Sequence, residues 1–464
     1  MVTPRPAGAV LASQGFRAVG SGTLIAIGVA LVAASAAVLL GPLALAIPFA
    51  AVLAVVLVRD PPVLLALFVF VPYFESAPGI RSIPFDPTAG LAALVLVALA
   101  LRLLSGEPWR FPPAPYAIAL AVLGVLVLVG LFRSAAPNFG EEKTLKFFTV
   151  TLLTALSPFV LLTTRADVRR FLYAIVAGGL LVTVLTPILP PTVAEGIATQ
   201  YDTKGRYSFG GQIFPARFLC TAALVLLLLP GLVQTRSRWR WAGPVAALGV
   251  AYVALGFGAR GPVGAFVVTL AAVALISSLR STRALVGVLC AVAVAAAVLP
   301  FVTVPDSASQ RISEAASNPV ATLRGDTRWV LYQQALDMMA AHPIVGAGTG
   351  SYASYVGIVS PPRQRLLYPH NIFLELWAEL GILAVVALLV IVIGAIWALM
   401  RRLAEADDGG ERQLLVLALG LLIFNVLVSQ VSGDINDNRT VLLAAALTLL
   451  LARGLPAGRG EARA

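Results

Sequence analysis

Window after window of about 17 to 22 apolar residues fills this chain, and a helical run of that length crosses the hydrocarbon core of a bilayer. The windows fall at 21–40, 42–58, 61–75, 88–104, 115–133, 143–163 and 168–190, then at 213–233, 241–258, 261–279, 284–304, 371–400, 413–432 and 439–453. The window at 61–75 is short and opens on Pro61-Pro62, so it also reads as re-entrant. Only 12% of the residues are charged, where a soluble chain carries about a quarter. The predicted fold class is therefore all-α: a polytopic membrane helical bundle of about 12 to 14 spans. One large extracytoplasmic loop precedes the third-last span. Residues 1–304 form N-terminal membrane helices, 305–370 the loop, and 371–464 C-terminal membrane helices.

The first apolar run contains Ala-Ala-Ser-Ala-Ala but leads through Gly41-Pro42 straight into another, which predicts an uncleaved span rather than a signal peptide. Cys220 and Cys290 both lie in apolar runs, against a disulfide framework or thiolate metal ligation. The net charge is +11, but the basic residues are scattered among loops, which fits membrane topology and anionic ligands rather than nucleic acid.

One alternation explains the arginines. With the N-terminus inside, the short cytoplasmic connections carry Arg165, Arg169, Arg170, Arg236, Arg238, Arg240, Arg280, Arg283, Arg401, Arg402 and Arg412, as the positive-inside rule expects. The opposite face then holds Lys204, Arg206, Arg217, Arg260, Arg311, Arg324, Arg328, Arg363, Arg365 and His370. An excess of cations on the outer side calls for a reason, and an anionic substrate is the simplest.

Within the outer loop, Asp326-Thr327 caps a predicted helix to about Ala341, with Leu331, Ala335, Met338 and Met339 at helical spacing. His342 reads as its C-terminal residue. The following Pro343-Ile-Val-Gly346-Ala-Gly348-Thr-Gly350 superficially resembles a phosphate loop, but no strand precedes it and no Lys-Ser/Thr follows. Asp434-Ile-Asn436-Asp437-Asn438 begins like a calcium loop, yet Arg439 and Ala445 stand where Gly and Glu are needed, so a capped outer turn explains it better. No His/Asp/Glu cluster has metal-ligand spacing.

Arg260 sits at the turn Gly256-Phe-Gly-Ala-Arg260-Gly-Pro-Val-Gly264 between two apolar windows. It reads either as snorkelling to headgroups or as a guanidinium presented to phosphate. Arg324 and Arg328 flank a helix N-terminus against the macrodipole, a conflict expected at a site but also excused by pairing with Asp326. Glu375 and Glu379 share one helix face and should meet protein or water. In Tyr368-Pro369-His370-Asn371, Asn371 is a plausible N-cap, and His370 precedes a helix start that favours its neutral, proton-accepting form. A histidine with no role at the membrane interface is the competing reading.

The ordered set Arg328-x-x-x-Tyr332-x-x-Ala335-Leu336, His342-Pro343-x-x-Gly346-x-Gly348 and Pro369-His370-Asn371-x-x-Leu374-x-x-x-x-Glu379-x-Gly381, preceded by Ala259-Arg260-Gly261, resembles the O-antigen ligase and polymerase superfamily. The resemblance covers mainly residues 256–381. It implies a metal-independent, cofactor-free glycosyltransferase of the GT-C type in the bacterial inner membrane, working on the extracytoplasmic side. Such an enzyme takes a glycan from an undecaprenyl-pyrophosphate carrier and passes it to a hydroxyl of lipid A core, a protein or a glycan. Carried over by motif, Arg260 and Arg328 look like the pyrophosphate pair and His370 like the general base, with Arg206 and Arg324 as further substrate-binding candidates. Tyr332 stands where many relatives have Trp, and Gly264 where Leu often follows the membrane arginine.

The chemistry suits these residues. Pyrophosphate leaves well, so arginines that stabilise its developing charge replace a metal and an acid, and the acceptor hydroxyl then needs only one base. A single displacement inverts the anomeric centre. A repeat-unit polymerase shares the motifs. A transporter of the same lipid-linked sugar would favour inverted repeats and midplane charge, and the sequence displays neither.

Overall fold

The computed structural model describes residues 43–74, 86–188, 213–229, 242–278, 327–355, 368–406 and 409–456. It divides at Asp60 into two compact units. The first contributes helix α1 (Leu43–Arg59). The second holds the rest and is helical wherever the described residues form regular structure.

In the second unit α2 (Pro61–Phe70) runs into a 3-10 turn at Val71–Phe74, followed by α3 (Pro87–Leu104) and α4 (Ala114–Leu131). Then α5 (Pro137–Lys146), a π-helical segment (Phe147–Thr151) and α6 (Leu152–Leu161) form one continuous rod. It is followed by α7 (Arg165–Leu185), α8 (Ile213–Leu228), α9 (Ala242–Gly256) and α10 (Arg260–Ser278). Residues 327–355 supply α11 (Thr327–Ala341) and the single turn α12 (Tyr352–Tyr355). The C-terminal part comprises α13 (Ile372–Leu380), α14 (Ile382–Glu405), α15 (Gly409–Val428) and α16 (Arg439–Ala452). Every residue from Arg439 to Leu451 is buried, so α16 is apolar on all sides because neighbours surround it on all sides. It packs on α14, α15 and α6.

Among the described residues six helices are long and apolar enough to cross a membrane: α3, α4, the α5–α6 rod, α7, α14 and α15. Shorter apolar helices α8, α9, α10 and α16 accompany them. The expected windows at 21–40 and 284–304 lie outside the described residues. The single span expected at 371–400 is two helices. Gly381 takes φ 85°, and a Cβ there would come within 2.0 Å of the Ile344 carbonyl oxygen, so the backbone turns where hydropathy alone runs on. The expected loop helix, by contrast, occupies Thr327–Ala341.

Helices α14 and α15 define two opposite ends of the second unit, since the 24 residues of α14 rise about 36 Å at 1.5 Å each. At one end Arg402 and Arg165 both bind Glu411, at 2.7 Å and 2.5 Å, and the Arg165 Nε donates to the Leu455 carbonyl. At the other, Gly381 meets Ile344, and Ser429, just past α15, accepts a hydrogen bond from Ile372 N.

Candidate functional site at the α13 end of the bundle

The first two turns of α13 are built from a local cap and distant anchors. Asn371 accepts hydrogen bonds from Phe373 N and Leu374 N at 3.0 Å and 3.1 Å, satisfying two of the free donors at a helix start. His370, immediately before the cap, has φ 58°. A non-glycine residue held there costs about 1 to 3 kcal/mol and persists only where its surroundings over-determine it. Its ring lies edge-on to Tyr368, with centroids 4.7 Å apart. Burial first, then the carboxylates of Asp437, Asp434 and Glu375, push the Tyr368 hydroxyl well above its ordinary range, so it stays protonated.

The turn after α15 gathers the elements that carry the three principal candidates. Asn371, beside His370, points Nδ2 at the Gln430 carbonyl at 3.4 Å. Tyr332, one turn beyond Arg328 on α11, donates its hydroxyl to the same carbonyl at 3.0 Å. Gly261, beside Arg260 at the start of α10, lies so close to Val431 that an added Cβ would stand 2.7 Å from Val431 Cγ2. Arg260 is exposed, while Arg328 and His370 are partly buried. The structure thus brings these elements against residues 430–431. Arg206 and Arg324 lie outside the described residues.

Arg217 departs from its expected place among the outer cations. It is completely buried in α8 and donates to Asn438 Oδ1 at 2.8 Å, Asn425 Oδ1 at 3.2 Å and Thr440 Oγ1 at 2.5 Å. Sequence position put it near an outer connection, but both its terminal nitrogens, Nη1 and Nη2, donate to α15, α16 and the turn between them. That turn, residues 434–438, is capped internally: Asp434 Oδ1 accepts from Asn436 N at 2.9 Å and Asp437 N at 2.8 Å. Burial, with Asp434 adding to it, pushes the Asp437 carboxyl up to about 7.

The glycine segment after α11 is a clasp. Ala347 N and Gly348 N donate to the Ala378 and Glu379 carbonyls at 2.9 Å and 2.8 Å, and Gly350 N donates to Glu379 Oε2 at 2.8 Å. These amides, which a phosphate loop would leave for its anion, are already occupied. Arg133 closes the clasp by donating to the carbonyls of Val345 and Gly346. Tyr352 reaches back to the Leu331 carbonyl at 2.8 Å, seating α11 on a small core of Leu331, Ala335, Met338, Tyr352 and Ala378.

Sequence reasoning missed Lys143. Its ammonium, on α5, binds Glu375 and, at 2.7 Å, Glu379, and all three side chains are buried. The one signal was a lysine at the edge of an apolar window, where a buried charge demands partners. The same-face placement of Glu375 and Glu379 was legible; their partner was not. Among the described residues no three His, Cys, Asp or Glu side chains cluster as a metal-ligand set.

The comparisons with known proteins agree with the resemblance. No curated protein matches the chain. Residues 245–389 match the family model described as O-Antigen ligase. The matched interval includes Arg260, Arg328, His370, Glu375 and Glu379, whereas Lys143 and the turn at 434–438 lie outside it. Over residues 245–389 the chain is therefore similar to the O-antigen ligase family, and its long apolar helices mark it as a multi-pass membrane protein.

Proposed function

We propose that this protein transfers a glycan from an undecaprenyl-pyrophosphate carrier to an acceptor hydroxyl at the outer face of the bacterial inner membrane. The observation that carries the reading is the meeting of α10, α11 and the start of α13 at the turn 430–431, since these elements bear Arg260, Arg328 and His370. Support for the sidedness comes from the opposite end, where Arg165, Arg402 and Arg412 are grouped as the positive-inside rule expects of a cytoplasmic face.

In this reading Arg260 and Arg328 bind the pyrophosphate through charge-assisted hydrogen bonds and stabilise the charge that grows on it as the glycosidic C–O bond breaks. His370 takes the proton of the acceptor hydroxyl as its oxygen bonds to the anomeric carbon, and the configuration inverts. No step calls for a metal. Ligase and polymerase differ only in whether the acceptor is a separate molecule or another lipid-linked chain. Purified protein given a lipid-linked oligosaccharide, with and without lipid A core, tests both: transfer only with the core identifies a ligase, and a ladder without it a polymerase. Retained configuration in the product would contradict the single displacement.

A further inference from the structure

Three charged side chains of this bundle are withdrawn from solvent and from the pyrophosphate chemistry alike, and they converge on the helix that follows His370. Lys143 holds Glu375 and Glu379, whose spacing places them on the inner face of α13, one and two turns after the Asn371 cap. A charge buried in this way is costly without a partner, so the two ion pairs hold Lys143 and these carboxylates together. The linkage reaches further than α13. Glu375 Oε1 accepts from Ile435 N at 3.3 Å, Asn436 Nδ2 donates to the Lys143 carbonyl at 3.0 Å, and Thr151 Oγ1 donates to Asn436 Oδ1 at 2.7 Å. Lys143 and Thr151 are eight residues apart on one rod, and the intervening π-helical segment adjusts the register between them. On its far side Glu379 receives Gly350 N, so the clasp and α11 are tied to the same lysine.

We propose that Lys143 is the positioning residue for the site: a cation supplied by α5, outside the matched family interval, that fixes the rotation and depth of α13 and thereby the place of His370. The ion pairs anchor one face of α13, while the Ile372-to-Ser429 and Asn371-to-Gln430 hydrogen bonds hold its first turn against the turn bearing Val431. His370 is carried between them in its left-handed conformation. The inference rests on the reading of His370 as the base, and it adds that a residue without contact to substrate sets the rate of the chemical step.

The test compares wild type with Lys143→Met, Lys143→Arg, the neutralised triple variant Lys143→Met/Glu375→Gln/Glu379→Gln, and His370→Ala. All are assayed in detergent for glycan transfer, for KM of the lipid-linked donor, and for thermal unfolding. The triple variant is included because Lys143→Met alone strands buried carboxylates, whereas removing every charge of such a set is often tolerated by the fold. The expected result is a triple variant that unfolds cooperatively and loses about 10- to 100-fold in kcat with KM nearly unchanged, as a misplaced catalytic group does. Lys143→Arg should recover part of that loss. A folded triple variant with wild-type kcat, beside an inactive His370→Ala, would overturn the positioning role and leave His370 standing. Full activity in His370→Ala would overturn the reading of the base itself. Should the triple variant not fold, Lys143→Arg decides: wild-type kcat and KM overturn the role, and a kcat loss at unchanged KM and unchanged unfolding temperature supports it.

Discussion

Lys143 Nζ and Glu379 Oε2 stand 2.7 Å apart across 236 residues of sequence, fully enclosed, and the contact joins α5 to the helix that starts beside His370. Glu379 also accepts from Gly350 N, so one carboxylate ties together a rod of the bundle, the glycine clasp and α13. Removing the lysine alone, as Lys143→Met, strands the two buried carboxylates without their cation. The expected loss is about 3 to 5 kcal/mol of stability, which is the usual consequence of breaking a buried pair by one partner. Thermal unfolding in a fixed detergent should show a clear drop in midpoint, and an unchanged midpoint would mean that the triad is not under electrostatic constraint.

The clasp predicts a contrast between two glycines. Gly346 has φ 65°, and a Cβ there would lie 2.2 Å from the carbonyl carbon of Glu379, a backbone atom that cannot move aside. Gly346→Ala should therefore yield little folded protein. Gly394 lies inside α14 with open space around it, so Gly394→Ala should be neutral or stabilising by up to about 1 kcal/mol. Yield and unfolding midpoint of the two variants, measured side by side, check the pair.

Much of this arrangement was legible beforehand where the cause is local. The Asp326-Thr327 cap and the apolar spacing after it foretold α11, and Asn371 foretold the start of α13. Glu375 and Glu379 were legible as a same-face pair because helical spacing alone decides that. Lys143 was not, because its partners lie more than 230 residues away and only packing brings them together. Arg217 was misplaced for the complementary reason: topology reading assigns a charge to the nearest connection, while α8 turns it inward to Asn438 and Thr440. The break at Gly381 was hidden by hydropathy, which does not register a positive φ.

Arg217 yields its own prediction. Replacement by Lys keeps the charge but loses the fork that reaches Asn438, Asn425 and Thr440 together. Arg217→Lys should lower the unfolding midpoint while leaving donor KM in the surviving folded fraction unchanged. A raised donor KM without destabilisation would return Arg217 to the substrate-facing group.

Asp437 makes stability depend on pH in a defined direction. Its folded carboxyl is raised from 3.8 to about 7, so the native state binds the proton more tightly than the unfolded chain does. The contribution is fully present below about pH 4 and is lost as pH rises through about 7, the sense opposite to that of a salt-bridged carboxylate. Asp437→Asn removes this contribution. The stability of wild type relative to Asp437→Asn should therefore fall between pH 4 and 7, and a difference that stays flat or rises would contradict the shift.

The proposed function turns on His370 as the base for glycan transfer, at the end of the bundle where α10, α11 and α13 meet. The most direct measurement takes purified protein in detergent, a lipid-linked oligosaccharide and an acceptor, and compares product on a gel for wild type and His370→Ala, with donor binding measured separately. Transfer by His370→Ala should fall by at least about 100-fold, within the range for loss of a general base, while donor binding persists. Equal transfer by the two proteins would contradict it.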